Sequence, residues 1–398
     1  MPFIPSQIPF NKPYLSGKEL TYIQDAVQRG KISGNGYYTQ LCQDFFQDNY
    51  GFEHCLLTSS CTDALEMAAI LLDIRPGDEV ICPSFTFVSS ANAFVLRGAR
   101  VVFVDSKEDH PSMDESQLES LITPKTKAII VVHYGGVPCD MNAIMILAEK
   151  YGVKVIEDAA QAIDQKFQEK PLGGIGHIGV FSFHETKNIQ CGEGGMICIN
   201  DSSLSERAEI IWEKGTDRAA FFRGEVGKYG WKDLGSSFLP SELNAAYLYA
   251  QLESLTFIQN RRKAIWKEYY GFLQDSSFDC MLLSKEYLSS IKEGFEENLK
   301  NSSLDFLLPD PSLMANAHLF FLMFEDLENR AHFADQMKQK GILTVFHYQS
   351  LHRSTFVQRN FPDQYHRHLP NSDRFSDRLI RLPLFYELPE MSNAFLGE

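Results

Sequence analysis

The sequence predicts an α/β fold, with a mostly parallel sheet in a large domain and a smaller α+β domain at the C-terminal end. Two observations lead to this fold class. From residue 55 to about residue 200, short apolar runs alternate with segments of helical pattern, which is typical of parallel strands joined by helices. The apolar runs are also nearly continuous in hydrophobicity and rich in β-branched residues, as strands buried on both faces are.

The predicted strands of the large domain are residues 55–58, 79–83, 101–105, 128–133, 153–158, 179–183 and 196–199. The predicted helices between them are residues 62–72, 88–97, 115–122 and 141–151. Gly and Pro residues separate the segments at 75–78 and 135–138, and these residue types favour turns.

After residue 200 the pattern changes. A helix is predicted over 202–214, a long aromatic loop with four glycines over 216–237, and a long helical region over 240–274 that starts at Pro240. Residues 275–315 are polar and are predicted to be irregular. Strands at 318–324 and 343–347 flank a helix at 330–341, and no closing helix is expected after Pro389. We therefore expect a large domain over 1–255 and a small domain over 256–398.

Composition excludes several classes of protein. The 398 residues contain 37 Lys+Arg and 52 Asp+Glu, so the net charge of −15 argues against a nucleic-acid or basic membrane-surface protein. Hydrophobic residues make up 44% and charged residues 22%, which is ordinary for a globular chain. No apolar run approaches the roughly 18 residues of a membrane span, and no secretory signal is expected at the N-terminus.

The eight cysteines form no Cys-x-x-Cys motif, and several lie inside apolar runs. We expect buried thiols in a reducing cytoplasm, which predicts a cytoplasmic protein. No metal site is expected, because His366 and His368 alternate in a polar stretch that is typical of a surface.

The most informative pattern is a carboxylate and a lysine that follow two predicted strands. Asp158 ends a buried strand at the edge where open α/β sheets bind ligands, and a buried carboxylate there needs a cationic partner. Lys187 follows a later strand and would bind a carbonyl group covalently if its amine is desolvated. An Asp facing a pyridinium nitrogen and a Lys on an aldehyde are what pyridoxal 5'-phosphate (PLP) requires. The alternative is a structural ion pair between Asp158 and Lys187.

Two further features lie at the same predicted edge. The run from Thr58 to Leu65 joins a strand to a helix and is rich in hydroxyl groups, and the free N–H groups of a helix N-terminus suit a phosphate. Ordinary N-capping by Ser60 or Thr62 is the alternative. Phe87 follows the next strand and would stack on an aromatic cofactor, although a lone Phe more often belongs to the core.

Several motifs resemble the DegT/StrS family of sugar aminotransferases, which have PLP fold type I. The motifs that carry the resemblance are Gly77-Asp78-Glu79-Val80, Pro83-Ser84-Phe85-Thr86-Phe87, Val132-His133-Tyr134-Gly135-Gly136, Glu157-Asp158-Ala159-Ala160-Gln161, Phe181-Ser182-Phe183-His184, Lys187-Asn188 and Gly192-Glu193-Gly194-Gly195. The resemblance extends through nearly the whole chain.

The resemblance implies a catalytic and a cofactor-binding role for particular residues. Lys187 would hold PLP covalently and then move the proton between the amino donor and the cofactor. Asp158 would keep the pyridinium nitrogen protonated, Gln161 would bind the phenolic oxygen, and Phe87 would stack on the ring. The phosphate would be held by the backbone N–H groups of Thr62 and Asp63 and by the Ser182 hydroxyl.

The family also implies a homodimer with shared active sites. A residue of the second subunit, often Asn or Arg, reaches the phosphate from the loop before the long helix. Ser237 stands at the usual Asn position and Leu239 at the usual Arg position in this sequence, so Ser237 is the candidate for this cofactor contact. The predicted loop 216–237 is aromatic and would be costly to leave in water.

The implied substrates are L-glutamate as amino donor and a nucleotide 4-ketosugar as acceptor. A diphosphate needs local cations in so acidic a protein, and Arg223 and Lys228 in the loop are the candidates for substrate binding. Two alternatives remain. A dehydratase of the same fold typically carries His at the lysine position, and a regulator on this scaffold is expected to have lost Lys187, Asp158 or the phosphate site.

Overall fold

The computed structural model describes residues 7–298 and 315–394. Its strands are β1 (Cys55–Thr58), β2 (Glu79–Pro83), β3 (Arg100–Val104), β4 (Thr126–Val132), β5 (Lys154–Asp158), β6 (Lys166–Phe167), β7 (Lys170–Pro171), β8 (Ile178–Ser182), β9 (Gly195–Ile199), β10 (Phe320–Met323) and β11 (Leu379–Leu382). Seven of them form the main sheet in the order β1-β9-β8-β5-β4-β2-β3. Only β9 runs antiparallel to its neighbours, so the predicted α/β class with a mostly parallel sheet is confirmed.

The helices are α1 (Glu19–Gln28), α2 (Tyr37–Tyr50), α3 (Cys61–Leu71), α4 (Ser89–Val95), α5 (Leu118–Leu121), α6 (Met141–Tyr151), α7 (Ser205–Trp212), α8 (Arg218–Phe222), α9 (Glu242–Glu253), α10 (Leu255–Gln274), α11 (Lys285–Glu297), α12 (Leu327–Gln339), α13 (Thr355–Asn360), α14 (Pro362–Tyr365), α15 (Pro370–Arg378) and α16 (Leu388–Ala394).

Helices cover both faces of the main sheet, and the two-residue period of the strands sends alternate side chains to opposite faces. In β4, Ile130 and Val132 pack with α3, α4 and α7. Their neighbours Ile129 and Val131 pack with α6 on the other face. Burial on both faces explains why the strands are almost continuously apolar in the sequence.

A separate apolar core joins α10, α11, α12, β10 and β11. Trp266 and Tyr269 of α10 pack there on Phe320 of β10, with ring centroids 5.1 Å apart in both pairs. Ile8 of the N-terminal segment belongs to the same core, whereas Val357 and Leu369 pack with the main sheet. The division of the chain near residue 255 stays a proposal.

The main differences from the predicted elements lie in the C-terminal third. Residues 285–297 form α11 although this stretch was expected to be irregular; Ser284 caps the helix, and Tyr287, Leu288, Ile291 and Phe295 line its buried face. The predicted irregular stretch also includes 299–314, which lie outside the described residues.

Three other predictions for the chain after residue 200 are wrong. Residues 343–347 form no strand, because only Val345 pairs with β11, through a single bridge. The long helical region starts at Glu242, with Ser241 rather than Pro240 at its N-cap, and divides into α9 and α10. A closing helix, α16, is present at the end of the described residues.

Six cysteines are buried, Cys61 and Cys280 are partly exposed, and all eight are free thiols. His366 and His368 are exposed, as predicted. Among the described residues, no group of three or more His, Cys, Asp or Glu side chains could hold a metal ion. None of the helices in the described ranges is long and apolar enough to cross a membrane.

Candidate active site

A cavity of about 830 Å³ lies at the carboxyl edge of the parallel strands. The segments that follow β1, β2, β5 and β8 supply one wall, and residues of β11 and of the segments before β10 and after α12 supply the other. Parallel strands present their carboxyl ends at one edge of the sheet, which is where open α/β folds bind ligands. The sheet therefore brings together side chains that lie far apart in the sequence.

Six of the predicted site residues line this cavity: Thr62, Phe87, Asp158, Gln161, Ser182 and Lys187. Asp63 is adjacent, but its N–H donates to the Ser60 hydroxyl (3.0 Å), and its carboxylate accepts a hydrogen bond from Ser59 (2.6 Å). The Asp63 N–H therefore already takes part in the N-cap of α3. Arg223, Lys228 and Ser237 do not line the cavity of their own chain.

Asp158 is buried at the end of β5. The Ser90 hydroxyl donates to its Oδ2 (2.7 Å), and the Ala160 N–H donates to its Oδ1 (3.1 Å). No ion pair to Asp158 is present among the described residues, so the alternative of a structural pair with Lys187 is not observed. A buried carboxylate with two neutral donors still favours a cationic partner, and a protonated ring nitrogen in the cavity would supply one.

Lys187 follows β8 through a turn in which its own N–H donates to the His184 carbonyl (2.9 Å). Its amine makes no hydrogen bond or ion pair within the described parts of the chain. Burial in the cavity lowers the pKa of Lys187, while Cys61 and Asp158 oppose this shift and Arg381 adds to it. A lower pKa increases the neutral, nucleophilic fraction of the amine.

The N-terminus of α3 opens onto the cavity through Ser60, Cys61 and Thr62. Ser60 caps the helix, while the N–H groups of the next two residues have no partner within the helix. A Cβ on Gly195 of β9 would lie only 2.4 Å from the Ser60 carbonyl carbon, so only glycine allows this close packing. Because Ser60 caps the helix and two N–H groups stay free, capping and phosphate binding are compatible at the N-terminus of α3.

Phe87 and Gln161 lie on the cavity wall near Tyr348. Phe87 is 55% exposed, so it does not belong to the core, and its ring lies 6.1 Å from the Tyr348 ring. The Gln161 side chain accepts a hydrogen bond from the Gly135 N–H (2.7 Å) and donates to the Tyr348 hydroxyl (2.8 Å). The donor set of this edge thus fits PLP: a helix end and hydroxyls for the phosphate, a carboxylate, an amine and an exposed ring.

The C-terminal third contributes residues to the cavity that were not predicted as site residues, including His318, His347, Tyr348 and Arg381. The fold brings them to the site from positions more than 100 residues after Lys187. Asn188, which follows the lysine in the sequence, is a predicted motif residue that contacts this part of the cavity, through His318.

Asn188 determines which tautomer His318 adopts. The Asn188 amide group donates to Gln259 (2.8 Å) and to the Asn316 carbonyl (2.9 Å), so its oxygen accepts from His318 Nδ1 (2.9 Å). Burial lowers the pKa of His318 well below its usual value. His318 is therefore a neutral imidazole that keeps the Nε2 lone pair free for the cavity.

The loop between α7 and α9 lies outside the cavity of its own chain. Arg223 forms ion pairs with Glu209 (2.9 Å) and Glu225 (2.8 Å). Trp231 is 82% exposed, and Ser237 is exposed and bridged to Glu213 through its backbone. The short helix α8 interrupts the predicted loop.

A lysine and a buried aspartate at the carboxyl edge of this sheet, beside a helix N-terminus, fit a PLP-dependent enzyme of fold type I. The chain belongs to the DegT/DnrJ/EryC1/StrS aminotransferase family, which it matches over residues 13–394.

Solved structures agree with this assignment. The chain is 26% identical to the aminotransferase TlmJ from Streptoalloteichus hindustanus, with a TM-score of 0.78 over 98% of this chain and 99% of that one. It is 28% identical to S. venezuelae DesV, solved in complex with a ketimine intermediate, with a TM-score of 0.79 over 98% of this chain and 96% of that one. A DegT DnrJ EryC1 StrS aminotransferase from Brucella abortus is 26% identical, with a TM-score of 0.75 over 96% of both chains.

Proposed function

We propose that the enzyme transfers an amino group from L-glutamate to C4 of a nucleotide-linked 4-keto-6-deoxy sugar. The proposed acceptor is TDP-4-keto-6-deoxy-D-glucose and the product TDP-4-amino-4,6-dideoxy-D-galactose, for the synthesis of a surface polysaccharide such as enterobacterial common antigen or lipopolysaccharide. The single observation that supports the transaminase chemistry most strongly is the unpaired amine of Lys187 in a cavity with buried Asp158. Nucleotide sugars and free, mostly buried thiols agree with a cytoplasmic enzyme.

The choice of sugar rests on a narrower sequence resemblance, to TDP-4-amino-4,6-dideoxygalactose transaminase. The segments that carry it are Leu71-Leu72-Asp73-Ile74, residues 91–99, Glu213-Lys214-Gly215-Thr216, Phe221-Phe222-Arg223-Gly224, Gly235-Ser236-Ser237 and residues 381–386.

Four cavity residues have proposed roles toward the cofactor and the amino donor. PLP supplies an aldehyde that takes up the amino group and a ring that accepts an electron pair. Lys187 would hold the cofactor through its amine, and that amine, once the amino donor has displaced it, would be free to move a proton from the donor Cα. The Asp158 carboxylate, held by Ser90 and Ala160, would keep a proton on the ring nitrogen. Gln161 would bind the phenolic oxygen, and Phe87 would stack on the ring.

The proposed function is tested with separate half-reactions. The purified enzyme is first aminated with L-glutamate and freed of excess donor. It is then offered a panel of TDP- and UDP-linked 4-ketosugars, and the amino product is identified by NMR. We expect the fastest turnover with TDP-4-keto-6-deoxy-D-glucose. Preference for another 4-ketosugar would overturn the sugar assignment, and a deoxygenated product without nitrogen would indicate a dehydratase.

We also propose a homodimer in which the loop of one subunit completes the site of the other. Trp231 and Phe222 are 82% and 70% exposed in the single chain, which favours a covered surface in the assembly. We expect that an inactive Lys187→Ala enzyme and an impaired Ser237→Ala enzyme, mixed under conditions of subunit exchange, regain part of the activity. Demonstrated exchange without recovery would indicate self-contained sites.

Replacement of the loop cations is expected to raise KM for the nucleotide sugar. Arg223→Ala and Lys228→Ala each remove a proposed diphosphate contact, worth about 1–3 kcal/mol, while the glutamate half-reaction stays unchanged. The effect should be larger for Lys228, because Arg223 must first leave Glu209 and Glu225. Arg359→Ala, at an exposed position of α13, is the control. An unchanged sugar KM in both loop variants would place the diphosphate elsewhere.

A further inference from the structure

Helix α4 begins with two serines, Ser89 and Ser90, after an apolar N-cap residue, Val88. Serine hydroxyl groups near a helix start commonly bond to the free N–H groups of the first turn. Here both hydroxyl groups reach other elements instead. The Ser89 hydroxyl lies 2.8 Å from the Thr62 hydroxyl, and the Ser90 hydroxyl donates to Oδ2 of Asp158 (2.7 Å). The first turn of α4 therefore contacts two predicted site residues.

The hydrogen bonds around Ser90 have only one consistent direction. A charged carboxylate has no proton to donate, so Ser90 must give its single hydroxyl proton to Asp158. Thr86 Oγ1 lies 3.1 Å from Ser90 Oγ and must therefore donate to Ser90. Thr86 and Ser90 are only 2% and 1% exposed, so water does not compete for these bonds. The three side chains form a directed chain in which each hydrogen bond strengthens the next.

Ser90 acts on the cavity through Asp158. Asp158 lines the cavity, whereas Ser90 is not among the described residues that do so. On the other side of the carboxylate, the Ala160 N–H donates to Oδ1 (3.1 Å). Each carboxylate oxygen accepts up to two hydrogen bonds, so both oxygens keep capacity for a further donor. The two bonds fix the orientation of the carboxylate, because each of them holds a different oxygen.

We propose that Ser90, supported by Thr86, is a positioning residue that holds the Asp158 carboxylate in place and so keeps the ring nitrogen of the cofactor protonated. This inference rests on the proposed role of Asp158 at that nitrogen. A hydrogen bond donated to a carboxylate favours its charged form. Beside a protonated ring nitrogen, the proton then stays on the nitrogen rather than moving to the carboxylate. Loss of the Ser90 hydroxyl weakens this preference and leaves one carboxylate oxygen unheld.

The test uses enzymes loaded with PLP that carries ¹⁵N in its ring. Ser90→Ala removes the hydroxyl group, Ser90→Cys replaces it by a thiol of similar shape that donates only weakly, and Ser90→Thr keeps it. Ser120→Ala, at an exposed position of α5, is the control. The ¹⁵N NMR signal reports whether the ring nitrogen is protonated. Stopped-flow amination by L-glutamate gives the maximal rate and the half-saturating concentration, and thermal unfolding checks the fold.

We expect the nitrogen signal of Ser90→Ala and Ser90→Cys to move toward that of a neutral pyridine. Their maximal amination rate should fall about 10- to 100-fold, because a hydrogen bond to a charged group is lost. The half-saturating concentration of glutamate should stay close to the wild-type value, because Ser90 acts through Asp158 and not on the donor. Ser90→Thr and Ser120→Ala should keep the wild-type signal and rate.

Slower amination with an unchanged nitrogen signal in Ser90→Ala and Ser90→Cys would show a merely structural role and overturn the proposal. A Ser90→Thr enzyme of normal thermal stability that behaves like Ser90→Ala would overturn it as well, since the hydroxyl group would then not be the cause. Asp158→Asn is measured in parallel. If its nitrogen signal equalled that of the wild-type enzyme, the proposed role of Asp158 itself would be refuted.

Discussion

Replacing Lys187 by alanine is expected to remove the covalent attachment of PLP and to reduce transamination by several orders of magnitude. General acid–base groups alone contribute about 10²- to 10⁴-fold, and Lys187 would serve both as the nucleophile and as the proton carrier. Among the described residues that line the cavity, Lys187 is the only lysine. Borohydride treatment followed by peptide mass analysis should place the reduced cofactor on the peptide that contains Lys187.

The matched control for this prediction is Lys170→Ala, which changes an exposed lysine of β7. It should keep both the borohydride-fixed cofactor and full activity. If Lys187→Ala retained the turnover of the wild-type enzyme with glutamate, or if the label appeared on another lysine, the assignment of the site would be wrong.

Replacing Asp158 by asparagine should have the second-largest effect. The amide keeps the shape of the side chain. Its oxygen can accept from the Ala160 N–H and its NH2 group can donate to the Ser90 hydroxyl, which reverses the second bond. It removes the buried negative charge. Leaving a buried cation without its partner costs about 3–5 kcal/mol, which corresponds to roughly 10²- to 10⁴-fold in rate or affinity. We therefore expect slower amination by glutamate and weaker binding of PLP.

Stopped-flow amination and titration of PLP into the apoenzyme measure these two quantities. Asp48→Asn, at an exposed position of α2, is the control for the loss of one negative charge. An Asp158→Asn enzyme with normal thermal stability, amination rate and PLP affinity would show that the carboxylate has no role at the ring nitrogen.

The strands of the main sheet could be predicted because the apolar pattern of each strand is contained in its own residues. Each strand is buried on both faces, so its apolar run is visible without knowledge of its neighbours; β1 and β2 were predicted with their observed bounds. Asp158 and Lys187 were predictable for a related reason, since a polar residue at the end of such a run must lie at the sheet edge.

The C-terminal half of the site could not be predicted because its geometry depends on tertiary packing. Arg381 lies in a short strand whose partner, β10, is about 60 residues away, and its guanidinium contacts Phe10 and Phe346 from two other segments. Helix α11 was missed because its polar face gives the segment a polar average, although its buried face is apolar at helical spacing.

The proposed reaction makes the nitrogen of glutamate the nitrogen of the product, and isotope transfer tests this directly. The enzyme is incubated with ¹⁵N-labelled L-glutamate and TDP-4-keto-6-deoxy-D-glucose, and the product is examined by mass spectrometry and NMR. We expect one ¹⁵N atom bonded to C4 of the sugar and one 2-oxoglutarate formed for each amino sugar. A sugar product without the label, or 2-oxoglutarate formed without an amino sugar, would contradict the proposal that this enzyme transfers the amino group to the nucleotide sugar.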